Sequence, residues 1–192
     1  MNMKKLLPYA AALLAGLAGY ALLQALREQP PAADVALTRL EFTDLDGNRK
    51  PLTAWQGKLI LLNFWATWCP PCREEIPLFI SLQERYGAQG LQIIGAIDRG
   101  EAVTRVRDEM GVNYPLLLGG EEALSTMRLY GNALGVLPYS VVIDPQGRTV
   151  ASKTGAYRPA ELENQILPSQ AATAGPFLNL APNFGELPKN AC

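Results

Sequence analysis

The chain contains no histidine and only three cysteines, Cys69, Cys72 and Cys192, in 192 residues. Two of them form one Cys-x-x-Cys; there is no second, and with no imidazole to complete a tetrahedral set, zinc ligation fails. Charge is equally sparse in net terms: 17 basic against 18 acidic residues leave −1. Nothing there suggests a nucleic-acid partner, which would want a basic patch. There is no internal repeat. What the chain does have is 48% hydrophobic residues, enough for a solid core, in a length that suits one domain with appendages.

The stretch Asn63–Pro77, NFWATWCPPCREEIP, organises the rest. The apolar run Leu59–Phe64 leads into it and reads as a strand buried on both faces. The run Arg73–Tyr86 leads out and reads as a helix, with Pro77 expected to kink it. Two cysteines two residues apart at a strand-to-helix junction make a dithiol redox site. Helical spacing brings both sulfurs near the helix N-terminus, whose partial positive charge favours thiolate. Cys69, outermost on that turn, is expected to attack; Cys72, one turn in, is expected to resolve the mixed disulfide. Pro70 and Pro71 lack an N–H and fix φ, which suits a first helical turn. Two other readings of the pair stay open on the residues alone: a static structural disulfide, and a copper(I) thiolate pair.

WCPPC after an apolar strand resembles the thioredoxin superfamily, and the longer string FWATWCPPCREEIP resembles its membrane-anchored TlpA/ResA/CcmG-like branch. The resemblance runs from about Leu40 to Leu167. It implies an α/β fold, a central mixed sheet flanked by helices, with an N-terminal hairpin and a central insert before Val136. It also implies a Cys69–Cys72 redox disulfide that works outside the cytoplasm. Gly135-Val136-Leu137-Pro138 stands where the family has its cis-proline loop, although a proline that opens a strand also has a plain explanation. The family's loop faces the Cys-x-x-Cys, blocks metal and pairs with an extended client segment. The resemblance therefore makes Trp68, Pro70, Pro71, Leu137 and Pro138 the client-binding residues. Trp65 and Trp68 otherwise read as space-filling aromatics. Thioredoxins proper have a buried aspartate where this chain has Asn63, which does not titrate. ResA-like proteins have a glutamate at the spacing of Glu75, three residues past Cys72 and on its helix face; Glu75 is the expected proton acceptor, against the alternative of an exposed helix carboxylate. Branch members that mature cytochromes often carry threonine before the proline and an acid after the loop; Leu137 and Tyr139 depart from that.

Lys4 and Lys5 precede Leu6–Leu26, an almost wholly apolar segment that would rise about 32 Å as a helix, near a bilayer core. It reads as a single-pass anchor with the N-terminus in the cytoplasm, in preference to a cleaved signal peptide. The expected organisation is an anchor or signal over 1–28, a Pro/Ala linker over 29–36, the thioredoxin-like domain over 37–167 and a largely disordered tail over 168–192. Within the domain, a strand from Leu40 meets the turn Asp44–Asn48, where a hairpin is preferred to calcium binding. Strands are expected over Leu91–Ile97, Tyr114–Leu118, Tyr139–Ile143 and Thr149–Lys153, and helices over Glu101–Met110, Gly119–Tyr130 and Pro159–Leu167. Asp144-Pro145-Gln146-Gly147 is a strong hairpin turn.

These readings lead to an exported thiol–disulfide oxidoreductase of the bacterial inner membrane, its soluble domain in the periplasm. It is expected to reduce oxidised client proteins of the cytochrome c maturation or copper-site assembly kind. An upstream membrane thiol reductant would recharge it, and it would need no cofactor and no metal. The alternatives are a copper(I)-binding or delivery module, a dithiol oxidase and, more distantly, a one-cysteine peroxidase. Cys192 is expected to be dispensable.

Overall fold

The computed structural model describes residues 37–97, 102–162 and 164–165. The proposed anchor, the linker, the tail and Cys192 lie outside them. Among the described residues, no helix is long and apolar enough to cross a membrane.

The centre of the molecule is β3 (Leu59–Trp65), in which every residue is buried. Such a strand has both faces covered and both edges paired. Accordingly β3 lies parallel to β4 (Leu91–Ile97) and antiparallel to β6 (Tyr139–Ile143). With β1 (Glu41–Asp44), β2 (Arg49–Pro51), β5 (Leu116–Leu118) and β7 (Thr149–Thr154) it forms one seven-stranded mixed sheet in the order β2-β1-β5-β4-β3-β6-β7. β1 and β2 form the expected N-terminal hairpin.

Side chains alternate across β3. Leu59, Leu61 and Trp65 pack on one face against Cys72, Ile76, Phe79 and Leu82 of α1 (Pro70–Tyr86) and Val103 and Val106 of α2 (Ala102–Met110). Ile60, Leu62 and Phe64 pack on the other against Ala123 and Met127 of α3 (Gly120–Leu129), with Leu37 and Leu52. Each fully buried side chain of this kind is worth roughly 1.5–3 kcal/mol, so β3 and its neighbours set the core.

The strands and helices differ from the sequence expectation mainly at their ends. β5 begins at Leu116, not Tyr114, because Pro115 has no N–H for the ladder; its carbonyl instead accepts from Gly95 N at 2.9 Å. α1 begins at Pro70 rather than Arg73, with the two prolines in its first turn, and runs on through Pro77. Residues 159–162 and 164–165 are helical, in the expected last helix. The two hairpin turns share one construction. Asp44 Oδ1 accepts from Asp46 N and Asn48 N, and Asp144 Oδ1 accepts from Gln146 N and Arg148 N. Gly47 and Gly147 take φ of 85° and 84°, which glycine alone adopts without a Cβ clash.

Candidate active site

β3 ends at Trp65, at one end of the sheet, and α1 starts five residues later. Cys69 is the cap residue of α1, with extended backbone (φ −94°, ψ 104°), and Cys72 lies in the first turn. Their Cα atoms are 5.3 Å apart and the sulfurs are bonded, at 1.98 Å. Cys72 is wholly buried and Cys69 is 5% exposed, so the outer sulfur is the one nearer to solvent. Both meet the positive end of the helix, which stabilises a thiolate there.

The loop before β6 closes the site. The Leu137–Pro138 bond is cis. Asn132 braces the loop from both sides: its Nδ2 donates to Val136 O at 2.8 Å and its Oδ1 accepts from Val136 N at 3.0 Å. The Pro138 carbonyl accepts from Gly155 N at 2.8 Å. Leu137 packs against the core cluster that holds both cysteines.

Trp65 and Trp68 part company. Trp65 is buried and fills the core; Trp68 is 70% exposed, so the space-filling role expected of both belongs to Trp65 alone. Trp68 and Leu137 line a cavity of about 380 Å³ with Phe64, Ala96, Leu124 and Met127. Among the described residues, Glu121 is its one charged lining residue. Exposed Leu124 and Val136 extend this apolar surface. Pro70 and Pro71 are exposed and line no part of the cavity.

Glu75 is 2% exposed, whereas neighbouring Glu74 faces solvent. Its Oε1 accepts from Asn63 Nδ2 at 2.8 Å and its Oε2 from the backbone N–H of Tyr157 at 3.1 Å. Burial pushes its pKa up from 4.5 to about 7, against the lowering effect of those two hydrogen bonds and of Lys153. A carboxyl that ionises near neutrality suits proton exchange at pH 7. Asn63 also donates to Ser140 Oγ at 3.0 Å. The surface-carboxylate alternative for Glu75 therefore fails on burial.

The structure brings Cys69, Cys72, Trp68, Leu137 and Pro138 to one end of the sheet and sets Glu75 on the Cys72 side of α1. Sequence reasoning missed Asn132, Ser140 and Tyr157. A serine inside the apolar strand YSVVI was a signal for one of them. The Tyr157 contribution is a backbone amide 82 positions from Glu75, which no side-chain pattern marks.

A redox disulfide capping a helix, with a cis-proline loop on the strand beside it, defines a thiol–disulfide oxidoreductase of thioredoxin-like fold. The AhpC/TSA family model matches residues 30–152, and the chain belongs to that family. It is 32% identical to the thiol–disulfide oxidoreductase ResA of Bacillus thuringiensis, over 80% of this chain and 89% of that one. It is 31% identical to ResA of Geobacillus thermodenitrificans, over 80% and 88%. Among solved structures, a thiol:disulfide interchange protein of the thioredoxin family from Chlorobium tepidum is similar, with a TM-score of 0.62. That match has 25% identity and covers 68% of this chain and 92% of that one. The chain is thus a thiol–disulfide oxidoreductase of the TlpA/ResA/CcmG-like kind.

Proposed function

We propose that this oxidoreductase is exported, held at the bacterial inner membrane by Leu6–Leu26, and reduces disulfides of periplasmic client proteins. The cycle balances as two electrons per client. The Cys69 thiolate attacks a client disulfide, forms a Cys69–client bond and releases one client sulfur as thiolate. Cys72 then gives its proton to Glu75 and attacks Cys69 Sγ. The second client sulfur leaves, and the Cys69–Cys72 disulfide remains. An upstream membrane thiol reductant restores the dithiol by the reverse exchange. Apocytochrome c cysteines or the cysteines of a copper-site protein are the clients the family resemblance suggests.

The observation that carries this reading is the buried carboxyl of Glu75, near-neutral in acidity, on the helix face of the buried Cys72. A dithiol reductant must deprotonate its inner cysteine in every turnover. Client docking has a backbone site as well. Both backbone groups of Val136 are taken by Asn132, whereas among the described residues the Leu137 backbone makes no hydrogen bond. Leu137 is therefore the peptide unit left to pair with an extended client segment.

The deciding experiment is the reduction potential of the Cys69–Cys72 pair against a glutathione buffer. Thioredoxin, a dithiol reductant, lies at roughly −270 mV. A value near about −120 mV overturns the reductant assignment and makes the protein a dithiol oxidase.

A further inference from the structure

Asn63 is out of place by composition. It lies on the α1 face of β3, where the other side chains are Leu59, Leu61 and Trp65, and it is 2% exposed. A carboxamide persists in such a place only where its hydrogen-bonding groups are engaged. The register shows what engages it. Asn63 stands across from Gly95 on β4 and Ser140 on β6, and Ser140 stands across from Lys153 on β7. This row crosses the sheet beneath Glu75.

The two amide hydrogens of Asn63 go to Glu75 Oε1 and Ser140 Oγ, at 2.8 and 3.0 Å. Turned over, the amide would set its carbonyl oxygen against the carboxyl oxygen. Ser140, wholly buried, accepts one hydrogen and so anchors the amide from β6 while the other hydrogen goes to Glu75. The Tyr157 N–H holds the second carboxyl oxygen. Each carboxyl oxygen has a further lone pair, so both contacts hold the carboxyl while leaving a place for a proton. Asn63 donates at any pH, because it has no proton to lose; an aspartate there would compete for the same proton.

We propose that Asn63 is a positioning residue, whose carboxamide, anchored on Ser140, fixes the Glu75 carboxyl on the Cys72 side of α1 and ties it to the strand that follows the cis-proline. The proposal rests on Glu75 as the proton acceptor of the cycle. It deepens that reading, since the strand that carries the client-facing loop then also carries the group that orients the proton acceptor. The other titratable groups around Glu75 are Cys72 on α1 itself, Lys153 on β7 with its ion-pair partner Glu161, and the phenols of Tyr114 and Tyr157. Lys153 favours the ionised carboxyl and burial opposes it.

The test is a carbon-13 NMR titration of glutamate side-chain carboxyls in the full-length chain, with Glu75→Gln to assign the signal. The pH–rate profile for single-turnover reduction of glutathione disulfide is measured alongside. Asn63→Leu keeps the branched skeleton, with somewhat greater bulk, and removes the donor. The Glu75 midpoint should rise by about one pH unit, because a hydrogen bond to the charged form has been lost, and the rate profile should move with it. Ser140→Ala should move the midpoint the same way by less, and Ser140→Thr should restore it. An unmoved midpoint in a folded Asn63→Leu protein overturns the proposal. Should that variant fail to fold, a wild-type midpoint in Ser140→Ala overturns it. A midpoint that moves while the rate profile stays put upholds the hold of Asn63 on Glu75 and instead removes Glu75 from the proton transfer.

Discussion

The two faces of β3 are built on different principles. Towards α1 the strand carries a polar residue, Asn63, joined to a buried acid and a buried hydroxyl below the disulfide. Towards α3 it carries only Ile60, Leu62 and Phe64; Phe64 floors a cavity that opens beside exposed Trp68. One face buries a carboxyl and a carboxamide among apolar side chains, where electrostatic effects are large. The other offers apolar surface at the mouth of the site. A single strand can do both because successive side chains point to opposite faces, so the two properties can vary independently at odd and even positions.

The largest effects should come from the two sulfurs, which pack on the α1 side. Cys69→Ser should abolish turnover, and Cys72→Ser should accumulate client mixed disulfides visible on non-reducing gels, because no second thiolate is within reach to resolve them. A Cys72→Ala protein with normal turnover would sink the dithiol cycle in favour of one-cysteine peroxidase chemistry.

The apolar face should respond in stability. Phe64→Ala removes a side chain that is 1% exposed and should cost about 3–5 kcal/mol, read as a lower denaturant midpoint. A cost below about 1 kcal/mol would mean that the cavity collapses onto the gap.

The polar face should respond in pH dependence. The pKa of Glu75 is raised in the fold from 4.5 to about 7, so the folded chain holds this proton more tightly than the unfolded one. Its contribution is full below pH 4.5 and is lost as pH rises through 7, a fall of at most about 3 kcal/mol. Glu75→Gln should abolish that slope. It should also lower stability at acid pH, because a carboxamide has one oxygen for the two donors Asn63 and Tyr157 N–H. Chemical unfolding from pH 4 to 8 measures both effects. An unchanged slope would place Glu75 outside the linkage. The Glu75→Gln rate profile, beside that of exposed Glu74→Gln, tests the proton transfer itself.

Trp68→Ala should leave stability within about 0.5 kcal/mol, since the side chain is 70% exposed, and should raise KM for a protein client several-fold while turnover of glutathione disulfide is kept. Equal loss on both substrates would make Trp68 part of the chemistry rather than of recognition. The smallest effect is expected of Cys192→Ser, which should retain full activity; loss of activity with Cys69 and Cys72 intact would bring the tail into the relay.

Much of this molecule is legible in one dimension because the determining interactions are local. The period of two in β3, the Asp-to-glycine turns at Asp44–Gly47 and Asp144–Gly147, the prolines of the first turn of α1 and the Cys-x-x-Cys spacing all act within a few residues. They determine the order of strands and helices, the cysteine pair and the presence of Glu75 one turn past Cys72. Tertiary structure decided what those groups become. The acidity of Glu75 is set by burial under a sheet and by a backbone amide 82 positions away. The amide of Asn63 donates to a serine 77 positions away. Trp65 goes to the core and Trp68 to the surface, although they are three residues apart in similar sequence. The desolvation that shifts a pKa, and the cavity beside an indole, are properties of everything packed around a side chain, and only the folded chain assembles those surroundings.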